Sequence, residues 1–526
     1  MNSAHAAISS CERDDDAVAP SASASASTSA SAPPAAPHVH EIGYDALFRS
    51  LARQSRVFPL NSERVTILPS PTAFYEQLLA NIRAAKQRIT ISSLYLGTGA
   101  LERELVATIA QKLREEPNVQ VTIVLDYSRG QRGGQDKSSV SMLKPLIAEF
   151  SDNVQLFLYK VPQLKGVKAT LPPPFNETMG VSHAKVYLVD DTLVLSGANL
   201  SEDYFTNRQD RYVQMADCGG LAEFYHQFVS IVTSHSFQVT LKDDRKGSSS
   251  NDIDSVDPMA LKYELRGSSH DSGAEKATMK RAFEELVSVQ THPHDSVSAD
   301  FDPTVDASST TDAWAFPTLQ FTPIDVTHDQ VVLTEFIEQL PPNSALRIAS
   351  GYLNFPPFLD ELLTRCNAHL DVILSAPVAN GFFNANGIKG ALPMAYSLIE
   401  QDFYEKTRTR DFTTVLREFN RAQWTFHGKG MWWSPTLEHA PQITIFGSSN
   451  FGRRSYGCDL ESQVVLYTKN PDLQNRLKHE YDALTQHAEE VTDNVWARPD
   501  RMLHGVFNWK YGHWIRPVAK MISAYL

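Results

Sequence analysis

The stretch that decides the fold is VSHAKVYLVDDTLVLSGANLSEDYFTNRQDRY, residues 181–212. His183 and Lys185 lie two positions apart in an alternating run, which on a strand places both side chains on the same face. A turn-like stretch of small residues then ends at Asn199, and Asp210 follows eleven residues later. An imidazole, an ammonium, an amide and a carboxylate can therefore converge, and such a set is suited to handling a phosphate group.

The same set recurs near the C-terminus. His427 and Lys429 are again two positions apart, and a Gly-Ser-Ser-Asn turn ends at Asn450. Glu461 follows Asn450 by eleven residues, which is the spacing of the first copy. A single His-x-Lys pair on a strand is more often a surface feature than a catalytic one. Its repetition, with the same spacing from amide to acid, favours two similar halves that build one site.

These residues resemble the phospholipase D superfamily, whose signature is His-x-Lys-x4-Asp followed by a Gly-Ser-x-Asn-like turn. The first copy matches through Asp190, whereas Ser434 replaces the aspartate in the second copy. The resemblance covers roughly residues 44–240 and 317–500. Within the superfamily, the sequence is most similar to the mitochondrial phosphatidyltransferases of eukaryotes. The stretches that carry this similarity are SSLYLGTG (92–99), SGANLSEDYFTNRQDRY (196–212), FHGKGMWW (426–433), GSSNFGRRS (447–455) and DLESQ (459–463).

The resemblance implies a fold, an activity and roles for the site residues. It implies two homologous α/β/α domains packed as a pseudo-twofold pair, with the active site between them. The implied reaction transfers a phosphatidyl group from CDP-diacylglycerol to sn-glycerol 3-phosphate and gives phosphatidylglycerophosphate and CMP, a step towards phosphatidylglycerol and cardiolipin. His183 is then the nucleophile that forms a phosphohistidine, and His427 is the general acid and base. Asp210 and Glu461 would fix the imidazole tautomers, while Asp190, although it belongs to the candidate set, would be structural.

The residues alone support a two-step displacement, in which one imidazole attacks phosphorus and the other protonates the leaving group. Lys185, Lys429, Asn199 and Asn450 would neutralise the non-bridging oxygens. No cofactor is expected, and no metal, because the two lysines supply the positive charge. The same chemistry leaves open an alternative function, a phosphodiesterase that hydrolyses phospholipid or nucleic-acid diesters.

Two further stretches are candidates for substrate or nucleotide binding. The turn SSLYLGTG follows a predicted strand and opens a helix, so its backbone N–H groups could face a phosphate, including that of a cytidine nucleotide. A plain strand-to-helix turn is the alternative. The members of this candidate are Ser92, Ser93, Leu94, Tyr95, Leu96, Gly97, Thr98 and Gly99. Arg453 and Arg454 border the second catalytic turn and could also meet phosphate.

Composition limits the partners. The chain has 526 residues and a formal net charge of −13, of which residues 1–40 contribute −3 and residues 241–315 contribute −7. The acidic balance and the absence of a basic stripe disfavour nucleic acid. No run of 18 apolar residues predicts a spanning helix, so any membrane contact would be peripheral. The four cysteines have no paired spacing, which indicates neither disulfides nor a zinc site.

Alternating helix and strand patterns predict a mostly parallel, layered α/β sheet in each half. The N-terminus has one arginine beside four acids and does not look like a mitochondrial presequence, although the family resemblance implies peripheral association with the mitochondrial inner membrane. Aromatic and basic residues alternate in the C-terminal tail, which suits an anionic membrane surface, with packing onto the second domain as the alternative. The predicted segments are a disordered low-complexity N-terminus (1–43), a first phospholipase D-like domain (44–240), an acidic flexible insertion (241–316), a second such domain (317–500) and the tail (501–526).

Overall fold

The structure is a computed structural model that describes residues 39–166, 179–242, 261–267, 272–290, 310–383, 392–498 and 501. Nearly all of the predicted low-complexity N-terminus, and the C-terminal tail beyond residue 501, lie outside the described residues. The chain enters the described part through helix α1 (Val39–Gln54) and strand β1 (Phe58–Leu60).

The first half contains one large sheet and the helices that cover it. Its strands and short extended segments are β2 (Val65–Ile67), β3 (Arg88–Ser93), β4 (Gln120–Asp126), β5 (Val154–Tyr159), β6 (Val186–Val189), β7 (Thr192–Ser196), β8 (Arg208–Gln209), β9 (Tyr212–Met215), β10 (Phe237–Leu241) and β11 (Tyr263–Arg266). Its helices are α2 (Pro71–Ala84), α3 (Ala100–Glu115), α4 (Tyr127–Gly130), α5 (Ser139–Glu149), α6 (Glu202–Thr206), α7 (Gly219–Ser234) and α8 (Gly273–Val287).

The second half repeats this plan. Its strands are β12 (Ala313–Gln320), β13 (Ala345–Ser350), β14 (His369–Ser375), β15 (Thr414–Phe419), β16 (Thr425–Phe426), β17 (Lys429–Ser434), β18 (Ile443–Gly447), β19 (Glu461–Thr468) and β20 (Ala488–Glu490). Its helices are α9 (His328–Glu338), α10 (Pro357–Arg365), α11 (Leu392–Thr407), α12 (Arg453–Gly457) and α13 (Pro471–Thr485).

Local sequence explains where these elements start. Helix α2 begins at Pro71, whose missing N–H costs nothing in the first turn, and the Ser70 hydroxyl caps the helix by accepting from the Ala73 N–H at 3.1 Å. Strand β4 is buried along most of its length, as expected for a central strand covered by helices on both faces.

The two sheets have matching strand orders. The first runs β11-β10-β5-β4-β3-β6-β7-β9-β2. The second, read from the equivalent edge, runs β20-β15-β14-β13-β17-β18-β19-β12-β1. In each sheet only the three helix-connected central strands pair in parallel, namely β3-β4-β5 and β13-β14-β15, and every other pairing is antiparallel. The prediction of mostly parallel sheets is therefore wrong. The strands that carry the catalytic motifs are joined by short turns, which allow only antiparallel neighbours.

The predicted segment limits also differ from the structure. Strand β1 pairs with β12 of the second sheet, with Phe58 opposite Ala315, and Phe48 of α1 packs edge-on against Trp314. Residues 39–60 thus complete the second half, although sequence order assigned most of them to the first. Within the predicted insertion, β11 extends the first sheet, and Met279 and Phe283 of α8 are buried. The described parts of the insertion therefore belong to the folded core.

The two halves share a common apolar core. One buried cluster combines Val186, Leu195 and Phe228 of the first half with Phe446 and Val464 of the second. Each half also has its own core on the outer side of its sheet. Burial on both faces fixes each sheet relative to the other, so the motif strands of the two halves are held opposite each other.

Arg211 reinforces this contact from the first half. Its guanidinium donates to both carboxylate oxygens of Glu480, at 2.9 and 2.7 Å, and to the Ile445 carbonyl at 2.8 Å. The same group stacks 3.8 Å from the ring centroid of Trp432. A buried arginine with bidentate, stacked and carbonyl partners holds a defined geometry, which here positions the adjacent Asp210.

Candidate active site

Backbone pairing between the halves places the two histidines. The His183 N–H donates to the Leu460 carbonyl at 2.9 Å, and the His427 N–H donates to the Gln209 carbonyl at 2.8 Å. Each histidine is therefore tied to the residue just before the acid of the opposite half. These reciprocal backbone hydrogen bonds follow from the pseudo-twofold arrangement of the halves.

As a result, each imidazole meets the acid of the other half. Nδ1 of His183 lies 2.9 and 3.0 Å from the two carboxylate oxygens of Glu461. Nδ1 of His427 lies 2.6 Å from Oδ2 of Asp210. All four residues are at least nine-tenths buried. The predicted acid-to-imidazole contacts are present, and they cross between the halves.

The two lysines lie beside the imidazoles but have different surroundings. Nζ of Lys429 donates to the His427 carbonyl at 2.7 Å and to Oδ2 of Asp210 at 3.1 Å. Nζ of Lys185 donates to the His183 carbonyl at 2.6 Å. Both lysine side chains are buried, so their ammonium groups are poorly hydrated and available to an anionic substrate.

Burial and charge set the protonation states. Burial raises the pKa of Asp210, but the neighbouring Lys429 and His427 outweigh burial and hold that pKa below its usual value. Burial likewise opposes ionisation of Glu461, yet His183 and Lys185 lower its pKa to about 2. Both acids are therefore ionised at neutral pH.

The imidazoles respond in the opposite direction. Burial lowers the pKa of His183 below its usual value and, with Lys429 and Arg208 nearby, lowers the pKa of His427 to about 3. Both rings are therefore neutral at neutral pH. An ionised carboxylate at Nδ1 of His183 requires a donor there, so this ring carries its proton on Nδ1 and presents a lone pair at Nε2. Nδ1 of His427 contacts both Oδ2 of Asp210 at 2.6 Å and Nζ of Lys429 at 2.7 Å, and it carries the proton when it donates to the carboxylate.

The two asparagines end the turns that follow strands β7 and β18. The side-chain oxygens of Asn199 and Asn450 are buried and accept no hydrogen bond from the described residues. A buried amide without a partner is costly unless a ligand supplies one. Lysines and amides together suit the non-bridging oxygens of a phosphodiester. Among the described residues, no group of three or more His, Cys, Asp or Glu side chains is arranged to hold a metal ion.

Of the two equivalent turns, Ser196 to Asn199 and Gly447 to Asn450, only the final asparagine is shared, and the difference at the second position affects the site. A Cβ placed on Gly197 would lie 2.2 Å from Nζ of Lys429, so glycine leaves space for the lysine of the opposite half. Ser448 occupies the equivalent place in the second half, and its hydroxyl donates to Oε2 of Glu461. Glycine is thus required on one side, and a hydroxyl orients the acid on the other.

Asp190 does not join the site. Its carboxylate accepts from the backbone N–H groups of Lys86, Gln87 and Arg88 at 2.8 to 2.9 Å, beyond the other end of strand β6. It therefore caps the start of β3. Its counterpart Ser434 receives a hydrogen bond from Arg347 at 2.6 Å, likewise at the far end of its strand.

The 92–99 turn is mostly occupied by contacts within the protein. The Leu96 N–H donates to the Ser139 hydroxyl at 3.1 Å, and the Gly97 N–H donates to the Leu200 carbonyl at 2.7 Å. These two N–H groups are not available to a phosphate, because the turn holds the catalytic turn and α5 instead. The plain-turn alternative describes this part of the stretch better than a phosphate cradle does.

The two candidate arginines differ from each other. Arg454 donates to both carboxylate oxygens of Asp459, at 3.2 and 3.0 Å, and so has a structural partner. Nε of Arg453 is buried and donates to no described residue. Arg453 thus remains a candidate for an anionic ligand, whereas Arg454 supports the turn that carries Glu461.

Three residues at the site were not predicted from the sequence. The Tyr204 hydroxyl lies 3.4 Å from Nε2 of His427, and the Tyr352 ring lies 5.8 Å from the His427 ring. The guanidinium of Arg208 lies 4.7 Å from the ring centroid of Tyr204. Tyr204 and Arg208 belong to the first motif stretch, but the second copy has Ser455 and Asp459 at the same offsets, so a search for repeated residues passes over them.

Comparisons with known proteins agree with this architecture. The profile of a family described as "Cardiolipin synthase, PLD-like domain" matches residues 78–232. The crystal structure of phosphatidylserine synthase from Haemophilus influenzae superposes with a TM-score of 0.66 at 20% identity, covering 92% of this chain and 100% of that chain. At this identity the likeness concerns the fold alone. The predicted α/β class, with two phospholipase D-like domains, is confirmed.

Sequence relatives identify the family. The chain is 35% identical over 464 residues to the mitochondrial CDP-diacylglycerol–glycerol-3-phosphate 3-phosphatidyltransferase of Gallus gallus, covering 84% of this chain and 82% of that protein. It is 31% identical over 473 residues to the enzyme of the same activity name from Saccharomyces pastorianus, covering 84% and 86%. With identity above 30% over more than four-fifths of these relatives, the chain belongs to the CDP-diacylglycerol–glycerol-3-phosphate 3-phosphatidyltransferase family.

Proposed function

We propose that this chain transfers the phosphatidyl group of CDP-diacylglycerol to sn-glycerol 3-phosphate through a phosphohistidine intermediate. The observation that carries the proposal is the unequal environment of the two Nε2 atoms. Nε2 of His427 faces the Tyr204 hydroxyl at 3.4 Å, whereas no described residue makes a hydrogen bond to Nε2 of His183. An unobstructed lone pair suits a nucleophile, and a hydrogen-bonded nitrogen suits a group that exchanges protons.

In the first step, Nε2 of His183 forms a bond to the phosphatidyl phosphorus, and the P–O bond to CMP breaks with its electron pair going to CMP. The imidazole becomes cationic, and Glu461 stabilises it through Nδ1. The negative charge of the bound diphosphate raises the pKa of His427 again, so His427 can protonate the departing oxygen. Lys185 and Lys429 meet the charge on the non-bridging oxygens.

In the second step, Nε2 of His427 takes the proton of the acceptor hydroxyl, and that oxygen attacks the phosphorus. The N–P bond breaks, and its electron pair returns to His183. The proton that His427 gave to CMP is thereby regained. Asp210 fixes the His427 tautomer and stabilises the imidazolium at both stages.

Hydrolysis of a phosphodiester is the second candidate function, with water in place of the acceptor. The burial of both imidazoles, 8% and 6% exposed, favours a site that limits access by water. The test is incubation of the full chain with CDP-diacylglycerol and either glycerol 3-phosphate or water, followed by identification of the lipid product. We expect phosphatidylglycerophosphate with the acceptor. Phosphatidic acid as the sole product would contradict the transferase function.

The proposal includes a location. Several relatives carry "mitochondrial" in their names, and the proposed donor is a lipid. Both observations support an enzyme that acts at the mitochondrial inner membrane, bound peripherally to an anionic surface. Among the described residues, no helix is long and apolar enough to cross a membrane. Vesicle co-sedimentation should show stronger binding to vesicles rich in anionic lipid than to neutral ones. The acidic net charge of −13 supports the further expectation that nucleic acid is not a substrate.

A further inference from the structure

Arg208 lies on the His427 side of the site and is linked to Nε2 of His427 through Tyr204. The Tyr204 hydroxyl is 3.4 Å from Nε2 of His427, and the Arg208 guanidinium lies 4.7 Å from the centroid of the Tyr204 ring. The guanidinium therefore interacts with the same tyrosine that meets His427. A ligand group at His427 lies one side chain away from this cation.

The guanidinium is only partly satisfied by protein groups. Its Nε donates to the Thr425 hydroxyl at 3.0 Å, and its Nη2 lies 3.6 Å from Asp203, whose side chain is 67% exposed. The Arg208 side chain itself is 17% exposed. An ion pair at this distance with an exposed carboxylate is weak, so an incoming phosphate can compete for the guanidinium.

The opposite side of the site lacks this cation. The residue at the same offset in the second half is Asp459, and the positions that form its ion pair are reversed. Arg454 pairs with Asp459 at 3.0 Å in the second half, whereas Asp203 pairs with Arg208 in the first. Each half therefore carries one arginine–aspartate pair, with the two positions exchanged. The pair of the second half is closer and its aspartate is buried, so Arg454 is held more firmly by its partner than Arg208 is.

Gly381 leaves room beside the cation. A Cβ added to Gly381 would lie 3.0 Å from Nη2 of Arg208 and 3.4 Å from the Tyr352 hydroxyl. Any side chain at this position would crowd the guanidinium. A glycine, an arginine and two tyrosine hydroxyls thus border one space next to His427.

On the basis of the proposed function, we propose that Arg208 recognises the phosphate of the acceptor, sn-glycerol 3-phosphate. In the second step the acceptor hydroxyl must lie at Nε2 of His427. Three carbons separate that hydroxyl from the phosphate of the same molecule, which places the phosphate well beyond the reacting atoms. Arg208 is the cation next to Tyr204 on this side of the site, and a guanidinium binds phosphate oxygens with directed hydrogen bonds.

The phosphate of CMP is the other anion that occupies the His427 side. Its phosphorus is bonded directly to the departing oxygen, so it lies next to His427 and within the reach of Lys429. Arg208, which contacts Tyr204 and not His427, fits a phosphate at a greater distance from the reacting oxygen. The two sources are separable, because CMP takes part only in the first step and the acceptor only in the second.

The test uses the full chain and the variants Arg208→Gln and Arg208→Lys. With glycerol 3-phosphate varied at saturating CDP-diacylglycerol, we expect Arg208→Gln to raise the KM for the acceptor about 10- to 100-fold with little change in kcat. Glycerol, which has no phosphate, should be used equally poorly by wild type and variant. Arg208→Lys should recover part of the acceptor KM, because it keeps the charge and loses the fork of donors.

Arg88→Gln is the matched control. Arg88 is also partly buried, 23% exposed, and pairs with a glutamate at 3.1 Å, but it lies at the far end of β3. Its acceptor KM should equal that of wild type. Thermal unfolding of each variant shows whether the fold is kept, and Arg208→Lys provides the readout if Arg208→Gln is unstable.

A second measurement separates the two phosphates. Formation of phosphatidyl-enzyme from CDP-diacylglycerol without acceptor should be unchanged in Arg208→Gln. Slower formation, with a raised KM for the donor and an unchanged KM for the acceptor, would assign Arg208 to the CMP phosphate and overturn the inference. An unchanged acceptor KM in both variants would also overturn it. Failure of the wild-type enzyme to make phosphatidylglycerophosphate would instead refute the proposed function. That result is obtained with the wild type alone and does not depend on the Arg208 variants.

Discussion

On one side of the site, His183 meets both oxygens of Glu461, and a serine hydroxyl and an acid flank the pair. On the other side, His427 meets one oxygen of Asp210, which it shares with Lys429, and a tyrosine and an arginine flank the pair. Both sides keep the imidazole, the ammonium, the amide and the carboxylate. A duplicated site can therefore retain its reactive groups while the residues around each histidine give the two halves different catalytic roles.

The largest expected difference between the sides concerns the covalent step. His183→Ala should form no labelled enzyme from CDP-diacylglycerol radiolabelled in its phosphatidyl phosphate. His427→Ala should accumulate acid-labile labelled enzyme while turnover falls about 10²- to 10⁴-fold, since CMP leaves with little acid assistance and the acceptor hydroxyl still needs a base. Label on His183→Ala and none on His427→Ala would reverse the assignment. Inversion of configuration at phosphorus would contradict the two-step route.

The turns of the two halves should respond unequally to the same small change. Gly197→Ala brings a methyl group to within 2.2 Å of Nζ of Lys429 and should displace that ammonium, lowering kcat about 10²- to 10³-fold. Ser448→Gly, which gives the second turn the residue of the first, removes only a hydroxyl from Glu461 and should cost less than about tenfold in kcat. The measurement is the steady-state kcat of each variant, and the unfolding temperature of each variant shows whether the fold is kept. Equal losses in the two variants would mean that Lys429 does not depend on the glycine.

The crossed pairing predicts which step each acid serves. Glu461→Gln should slow formation of the phosphatidyl-enzyme about 100-fold, although Glu461 belongs to the half opposite His183. Asp210→Asn should leave that step largely intact and slow transfer to the acceptor by a similar factor. Rapid-quench measurement of label gain and label loss separates the two rates. If each acid affected the step of the histidine in its own half, the crossed contacts would have no catalytic role.

The charge of Lys185 should impose a pH dependence on the reaction. Burial lowers the pKa of Lys185 to about 7, so this side chain is cationic below that pH and loses its charge as the pH rises through it. The kcat/KM for CDP-diacylglycerol should then fall towards about tenfold per pH unit above 7. Lys185→Arg, which stays protonated, should remove this alkaline fall, whereas Lys429→Arg should retain it. A profile of Lys185→Arg parallel to wild type would show that another group titrates.

The smallest effect on catalysis is expected at Asp190, although it belongs to the family signature. Asp190→Ala removes an acceptor from three backbone N–H groups and places alanine at a φ of +50°, so the free energy of unfolding should fall by about 1–3 kcal/mol. At a temperature where the variant is folded, its kcat should match wild type. Asp190→Asn, which tolerates the left-handed conformation, should lose less stability. A large drop in kcat with unchanged stability would bring Asp190 back into the site.

Much of the site could be predicted because its pattern is local. Strand alternation puts His183 and Lys185 on one face, and repetition of the spacing identifies the second set without any structure. Predictions that needed distant contacts fared differently. The backbone N–H groups of Leu96 and Gly97 donate to α5 and to the catalytic turn, which no local pattern reveals. The sequence also did not predict that residues 39–60 belong to the second half, because strand pairing does not follow chain order.

The family, the α/β class and the identity of the reactive groups could be predicted from the sequence, since each depends on residues a few positions apart. The contacts of Glu461 with His183 and of Asp210 with His427 are known only from the tertiary structure. Only it separated Asp190 from the site and brought Tyr204 and Arg208 into it. The physical reason is that chemistry at a phosphate depends on distances of about 3 Å between groups far apart in the chain. Those distances are fixed by the packing of two sheets on a shared core.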